Sequence, residues 1–354
     1  MNDTLLRRLG IELPIIQGPM TGSDTPQLAA AVSQAGGLGM LGCGMRPPEA
    51  MAQAAAAVRA ATAKPFGMNL FVLPTPAAPD AATLQAALAR LAPLYAELGI
   101  APETPARWCE DFAAQFEALI AARPAAASFT FGLLGAAQVR RVKQEAGSAV
   151  IGTATTLAEA LAWQAAGADA VCVSGMEAGG HRGTFLGDFD ASMVGAMALT
   201  PQCVDALSIP VIAAGGIMDG RGIAAAQALG AQAAQLGTAF LACPESAITP
   251  AQRAAMAAAQ ATDTRVTRIY SGRPARGIVN TMMQKLAADE AAIPAYPIQN
   301  ALTGALRRAA AQQGRADYLA LWAGQGVSAA RALPAGELVA LLAREWRTAR
   351  RGLQ

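Results

Sequence analysis

LPIIQGPMTGSDT, residues 13–25, decides the fold. It opens as a short apolar run of strand type and passes into a polar turn at Gln17-Gly18-Pro19-Met20-Thr21. Its glycines do not fall in the GxGxxG spacing that a doubly wound dinucleotide-binding sheet carries after its first strand. Working outward, similar runs recur at 37–42, 66–72, 128–133, 149–155, 170–175, 210–216 and 233–240, which with 13–20 makes eight. Between or after them lie Ala-rich stretches of helical spacing at 25–35, 47–61, 136–146, 157–166, 220–229 and 250–259, most of them opened or closed by Pro, Gly, Thr or Asp. Apolar strands alternating with helices belong to a parallel sheet covered by helices, and eight such units close into a (β/α)8 TIM barrel.

One gap, 74–127, is longer than a barrel connection. It begins within the Pro-rich LPTPAAPD and continues with apolar positions at helical spacing, so a helical insertion after the third strand is expected, placed as a lid over the site. The expected layout is a barrel from 1–73 and 128–262, the insertion at 74–127, and a C-terminal extension at 263–354 whose loops and helices complete the site. Lys and Arg total 27 against 25 Asp and Glu, so the net charge of +2 gives no field for nucleic acid or an anionic membrane. The longest uncharged stretch, 222–244, is broken by Gly, Gln and Thr and reads as a buried helix and strand, not a membrane span. Five scattered cysteines with no CxxC read as reduced thiols, with Cys172 and Cys203 as core residues. The start, MNDTLLRRLGIELPII, has no apolar signal core and runs directly toward the first strand, so a cytoplasmic location and a monomer or homodimer are expected.

A barrel's active site lies at the carboxyl ends of its strands. Those ends carry Gln17 to Thr21, Asn69, Ser174 leading into GMEAGGHRG (175–183), Ala214-Gly215-Gly216-Ile217 and Gln235-Leu236-Gly237-Thr238. Glycines at the last two ends either let backbone N–H groups approach a phosphate or simply turn the chain. His181 is the only histidine, and on a barrel rim an imidazole is placed to move protons; with no second histidine, a metal site is not expected. Glu177 either orients this loop or pairs with Arg182, and Arg182 either neutralises an anion or pairs at the surface. The amides of Gln17, Asn69 and Gln235 suit a heteroaromatic ring or are satisfied within the core. Ser271-Gly272-Arg273 with Arg276 either closes over a phosphate or forms a turn, and Tyr296 before Pro297 is either aimed at the site or packed. No GxSxG elbow or GxxxxGK[ST] loop is present.

QGPM (17–20), GMEAGGHRG, AAGGI (213–217), AQLGTAF (234–240) and SGRPARG (271–277), in this order, resemble the nitronate monooxygenases. The resemblance runs from about residue 10 to 304, and AYPIQNALT (295–303) resembles the class I members. It implies an FMN-containing barrel that oxidises alkyl nitronates such as propionate 3-nitronate with O2, giving a carbonyl compound and nitrogen oxyanions without a nicotinamide. By the same resemblance His181 is the catalytic base, and Pro19, Met20 and Thr21 lie by the flavin. Asn69 and Ser174 contact it, although the family often has Gln at the latter position, and Gly179 and Gly180 pass close to its ring. Gly215, Gly216, Gln235, Leu236, Gly237 and Thr238 hold its ribityl and phosphate, while Gln17, Ser271 and Tyr296 border the substrate.

Two other readings fit parts of the pattern. Flavin-dependent enoyl-acyl-carrier-protein reductases and NAD(P)H:quinone reductases look similar around the glycine-histidine loop. A non-catalytic barrel that binds a phosphate ligand would also use the glycine-rich strand ends.

Overall fold

The computed structural model describes residues 4–352. Eight short strands carry the core: β1 (Ile15–Gln17), β2 (Gly39–Gly42), β3 (Phe66–Phe71), β4 (Ala126–Thr130), β5 (Ala149–Ala154), β6 (Ala170–Ser174), β7 (Val211–Ala214) and β8 (Ala233–Leu236). Each pairs in parallel with the next, and β8 returns to β1 with Ile15 opposite Ala234. The ring closes through a bridge of Ile16 to Leu38, where the Gln17 N–H donates to the Leu38 carbonyl at 2.9 Å and the Leu38 N–H to the Ile15 carbonyl at 3.0 Å. The fold is the expected barrel. The last strand is shorter than the run 233–240 implies, because Thr238–Leu241 turns into a helix immediately beyond Gly237.

Helices follow the strands at Pro26–Gln34, Pro48–Ala61, Phe112–Ala122, Ala136–Arg141, Leu157–Ala166, Ala196–Ala206 and Gly220–Ala228. Several start where a side chain satisfies the free amides of the first turn: Thr25 accepts from Leu28, Thr156 from Glu159, and Asp219 from Arg221 and Gly222. The helix at Pro250–Ala258 does not serve as the eighth of the ring. That place belongs to Ala335–Arg351, which packs between Gly220–Ala228 and Pro26–Gln34 and buries Leu338, Val339 and Leu342. Everything from Thr238 to Pro334 is an excursion between β8 and its helix.

The stretch 74–127 divides similarly. Phe112–Ala122 packs on Pro48–Ala61 and β3, as a barrel helix does. Ala81–Glu97 instead joins the C-terminal excursion, with Leu91, Leu94 and Tyr95 in one apolar cluster with Tyr270, Leu302 and Leu306, and the Tyr95 hydroxyl donating to the Leu302 carbonyl at 2.6 Å. Gly180–His181, Ala275–Ile278 and Thr264–Thr267 form a small antiparallel sheet over the carboxyl ends of the barrel strands.

At the opposite end, the chain does not run straight into β1 as the sequence suggests, since Thr4–Leu9 is a helix. Leu5 and Leu9 enter the barrel's interior cluster, where Ala126, Ala149, Ala170 and Ala233 leave room for larger side chains from below. Small residues also allow the helices to approach the strands. A Cβ on Gly39 would lie 1.9 Å from the Ala29 carbonyl oxygen, a backbone atom that no rotamer change can move. Gly39→Ala is therefore expected to destabilise the protein by about 3 kcal/mol or more, read as a lower urea midpoint at unchanged slope.

Candidate active site

A cavity of about 350 Å³ opens where the strands end. Of the residues singled out from sequence, Pro19, Met20, Thr21, Asn69, Ser174, Gly179, Gly180, His181, Gly215, Gly216, Gln235, Gly237 and Thr238 line it. Gln17 and Leu236 do not. The Gln17 side chain is fully buried, accepting from the Met40 N–H at 2.9 Å and donating to the Gly18 carbonyl, so it joins β1 to β2 inside the barrel. Leu236 points into the core, and its carbonyl takes the Gly18 N–H at 2.8 Å. Ser271 and Tyr296 stand behind the wall, each against His181.

One side of the cavity is a backbone cradle. Gly215 and Gly216 follow β7 with φ of +112° and +69°, two successive left-handed residues that glycine alone adopts cheaply. A Cβ placed on Gly180 or Gly237 would meet nothing within 4 Å, because both face open cavity. Among the described residues the N–H groups of Gly216, Gly237 and Thr238 have no protein acceptor, and neither has the Gln235 amide a partner. The Thr238 hydroxyl oxygen accepts from the Gly324 N–H at 2.9 Å, leaving its proton for a ligand. Deeper in, the Asn69 amide donates to Ser128 Oγ at 2.9 Å and Thr130 Oγ1 at 3.2 Å, which turns its oxygen outward as a fixed acceptor.

The other side is built around His181, which sits on the small outer sheet opposite Ala275 and not on a loose loop. Its Nε2 lies 2.8 Å from Ser271 Oγ. The Ser271 hydroxyl also lies 3.1 Å from the Arg273 carbonyl, so the ring is held in place through Nε2 and its Nδ1 is left without a protein partner among the described residues. Aromatic rings enclose the imidazole: Phe131 at 5.5 Å, Tyr296 at 5.8 Å and Trp322 at 5.4 Å between centroids. Phe131 holds φ of +79°, a strained setting for a bulky residue, and is kept there by stacking on Phe71 at 4.2 Å. Burial, with Arg273 and Arg307 nearby, pulls the His181 pKa down to about 3.

Arg307 also lines the cavity, its Nη2 held by the Asn300 carbonyl at 2.8 Å and side-chain oxygen at 3.0 Å, with no carboxylate beside it. Among the described residues no Asp or Glu lines the cavity. Arg182 neither pairs with Glu177 nor lies at the surface. It is 1% exposed and donates to the carbonyls of Ser174, Gly175 and Ser192, while Glu177 accepts from the Ala196 N–H. Arg276 reaches Met176 and Thr264, not a phosphate site. Sequence reasoning missed Phe71, Phe131, Arg307 and Trp322. The Gly-Gln-Gly at 324–326, two residues past Trp322, was a local signal available for the last of these.

A cradle of unpaired amides facing an imidazole across a carboxylate-free cavity suits an anionic ligand and proton transfer beside it. Comparison with known proteins agrees. A family model described as nitronate monooxygenase matches residues 2–345. The chain belongs to that family. It is 46% identical to the nitronate monooxygenase of Pseudomonas aeruginosa over 98% of this chain and 100% of that one. The nitroalkane oxidase of Streptomyces ansochromogenes superposes with a TM-score of 0.91 at 41% identity, covering 99% of both chains, and FabK of Thermotoga maritima with 0.76 at 30%, covering 100% of this chain and 98% of the other. Membership makes this chain an oxidoreductase acting on nitronates.

The depressed His181 pKa has a consequence for stability. The unfolded imidazole protonates near 6.5 and the folded one near 3, so between these values the unfolded state holds the extra proton. Stability is then lost as pH falls through that window, by at most about 1.4 kcal/mol per pH unit. In urea titrations across pH, the difference between wild type and His181→Gln should grow along this slope and be flat above pH 7.

Proposed function

We propose that this enzyme binds FMN and uses O2 to oxidise alkyl nitronates to carbonyl compounds and nitrogen oxyanions, with no nicotinamide reductant, in the cytoplasm. The observation that carries the reading is the division of one cavity into a wall of unpaired backbone amides and a wall holding an uncharged imidazole with Arg307. The first wall fits a mononucleotide phosphate: Gly215 and Gly216 are backbone-strained for any other residue, and side chains at Gly180 and Gly237 would enter the space a ligand needs. Gln235, Asn69 and Ser174 offer polar atoms toward the middle of the cavity, as an isoalloxazine ring requires. Bound FMN would supply the acceptor for the electron a nitronate gives up and the route by which it reaches oxygen.

The chain's own residues bind and orient. Arg307, without a carboxylate to neutralise it, attracts the nitronate anion, and the rings of Phe71, Phe131 and Trp322 keep water from the reacting end. A nitronate needs no base. A neutral nitroalkane does, and the imidazole of His181 takes its α-proton, while Ser271 fixes the ring through Nε2.

The purified protein is expected to be yellow and to release FMN on denaturation. Mixed without oxygen, it should lose the oxidised-flavin absorbance with propionate 3-nitronate but not with NADH; bleaching by NADH alone would make it a reductase, and a colourless protein would make it a binding barrel. His181→Asn should lower nitroalkane kcat/KM by about a hundredfold or more while nitronate turnover falls less than tenfold. Equal loss on both substrates would remove the base assignment.

A further inference from the structure

Glu159 is the one fully buried carboxylate for which no direct cationic partner exists among the described residues. It stands in the first turn of Leu157–Ala166, after β5, and accepts four hydrogen bonds: from the Thr155 N–H at 2.6 Å, the Thr155 hydroxyl at 2.8 Å, the Leu186 N–H at 2.9 Å and the Phe185 N–H. On the far side of the same loop, Arg273 donates Nε to the Arg182 carbonyl at 3.1 Å and Nη2 to the Thr184 carbonyl. Arg273 is half-buried and has no salt bridge among the described residues. The Thr184 carbonyl and the Phe185 N–H belong to one peptide group. A single amide thus joins a buried carboxylate to a half-buried guanidinium, each polarising it in the same sense.

The guanidinium is aimed by this tether. Its carbon lies 4.0 Å from the centroid of Phe131, on a ring whose edge meets His181, and the Arg273 carbonyl receives the proton of Ser271, the residue bonded to His181 Nε2. We propose that Glu159 and Arg273 form an ion pair mediated by the Thr184–Phe185 peptide, and that this pair is a positioning device which fixes a positive charge and the Ser271 contact beside the His181 ring. Partial desolvation of a cation is costly, and a carboxylate one amide away offsets that cost without cancelling the field at the imidazole as a direct pair would. The same field favours the anion left when a substrate loses its proton.

The groups facing His181 are few. Arg273 comes from the turn before Ala275–Ile278, Arg307 from Gly304–Gln312, and Tyr296 from the turn at Pro297; Cys172 on β6 lines the same cavity with its thiol pushed up to about 12 by burial, hence uncharged. Arg276, on the strand paired with His181, is turned away to Met176 and Thr264. Loss of Arg273's charge therefore removes one of the two cations that oppose protonation of the ring, and Arg307 remains.

This inference shares its site with the proposed function, but it can be tested without turnover because the chain has a single histidine. In full-length enzyme labelled with ¹⁵N-histidine, one pair of ring signals reports its titration across the pH range in which the protein stays folded. Arg273→Gln is expected to move that titration upward by at least one pH unit, while Arg273→Lys, which keeps the charge, stays within half a unit of wild type. Glu159→Gln should move it in the same direction, because an unanchored Arg273 turns away from the ring; a downward shift, the sign that loss of a negative charge alone would give, overturns the tether, and the double variant should go no further than Arg273→Gln alone. An unmoved titration in Arg273→Gln overturns the proposal, as does full additivity in the double variant. Should Glu159→Gln not fold, Glu159→Asp, which shortens the carboxylate's reach, takes its place with the same expected sign. If the NMR titration moves while the acid limb of nitroalkane kcat/KM does not, the relay stands and the assignment of His181 as base falls.

Discussion

The hydrogen bonds of Arg182 to three carbonyls are the constraint on which the upper half of this molecule rests. Ser174 and Gly175 end β6, Ser192 closes the loop that follows, and the guanidinium between them folds the loop back onto the strand from which it springs. With the loop so pinned, Gly180 and His181 can pair with Ala275 and Arg276, and the excursion from β8 acquires its place over the barrel mouth. A lysine could not take this role, since one ammonium cannot reach carbonyls spread across a planar fork. The chemistry of the site therefore depends on a residue that touches neither the cavity's contents nor its opening.

Charge gives the cavity its character. Arg182, Arg273, Arg276 and Arg307 are all held largely by carbonyl oxygens, which satisfy donors but leave the net positive charge in place. In a pocket with no carboxylate among its described lining, that charge favours anions and keeps the imidazole neutral. One arrangement thereby serves both the capture of a nitronate and the readiness of a base.

Much of this was legible in the sequence because strand ends are local features. Eight apolar runs located β1 to β8 within a few residues, and the position of the glycines at 215, 216 and 237 put them at the mouth, with a cradle and a plain turn both left open. Gln17 misled because a polar residue at a strand end looks the same whether it faces a ligand or satisfies a neighbouring strand's amide, and only closure of β1 on β2 decides between them. Phe131 and Arg307 were illegible for a different reason. Nothing local distinguishes an aromatic residue after β4, or an arginine in a helix 176 positions further on, and they meet only because the excursion returns over the mouth. The helices that complete the ring were hidden likewise, Phe112–Ala122 within a long gap and Ala335–Arg351 beyond the whole excursion from Thr238 to Pro334.

That last helix has a bearing on biosynthesis. Until Ala335–Arg351 has left the ribosome, the apolar flanks of Gly220–Ala228 and Pro26–Gln34, laid down near the two ends of the nascent barrel, have nothing to cover them. The ring of helices closes in the order of translation, but its last member follows the long excursion from β8, so the final seam waits until Ala335–Arg351 has been made. Synthesis stalled late would leave a sticky, unsealed intermediate, the form most in need of a chaperone.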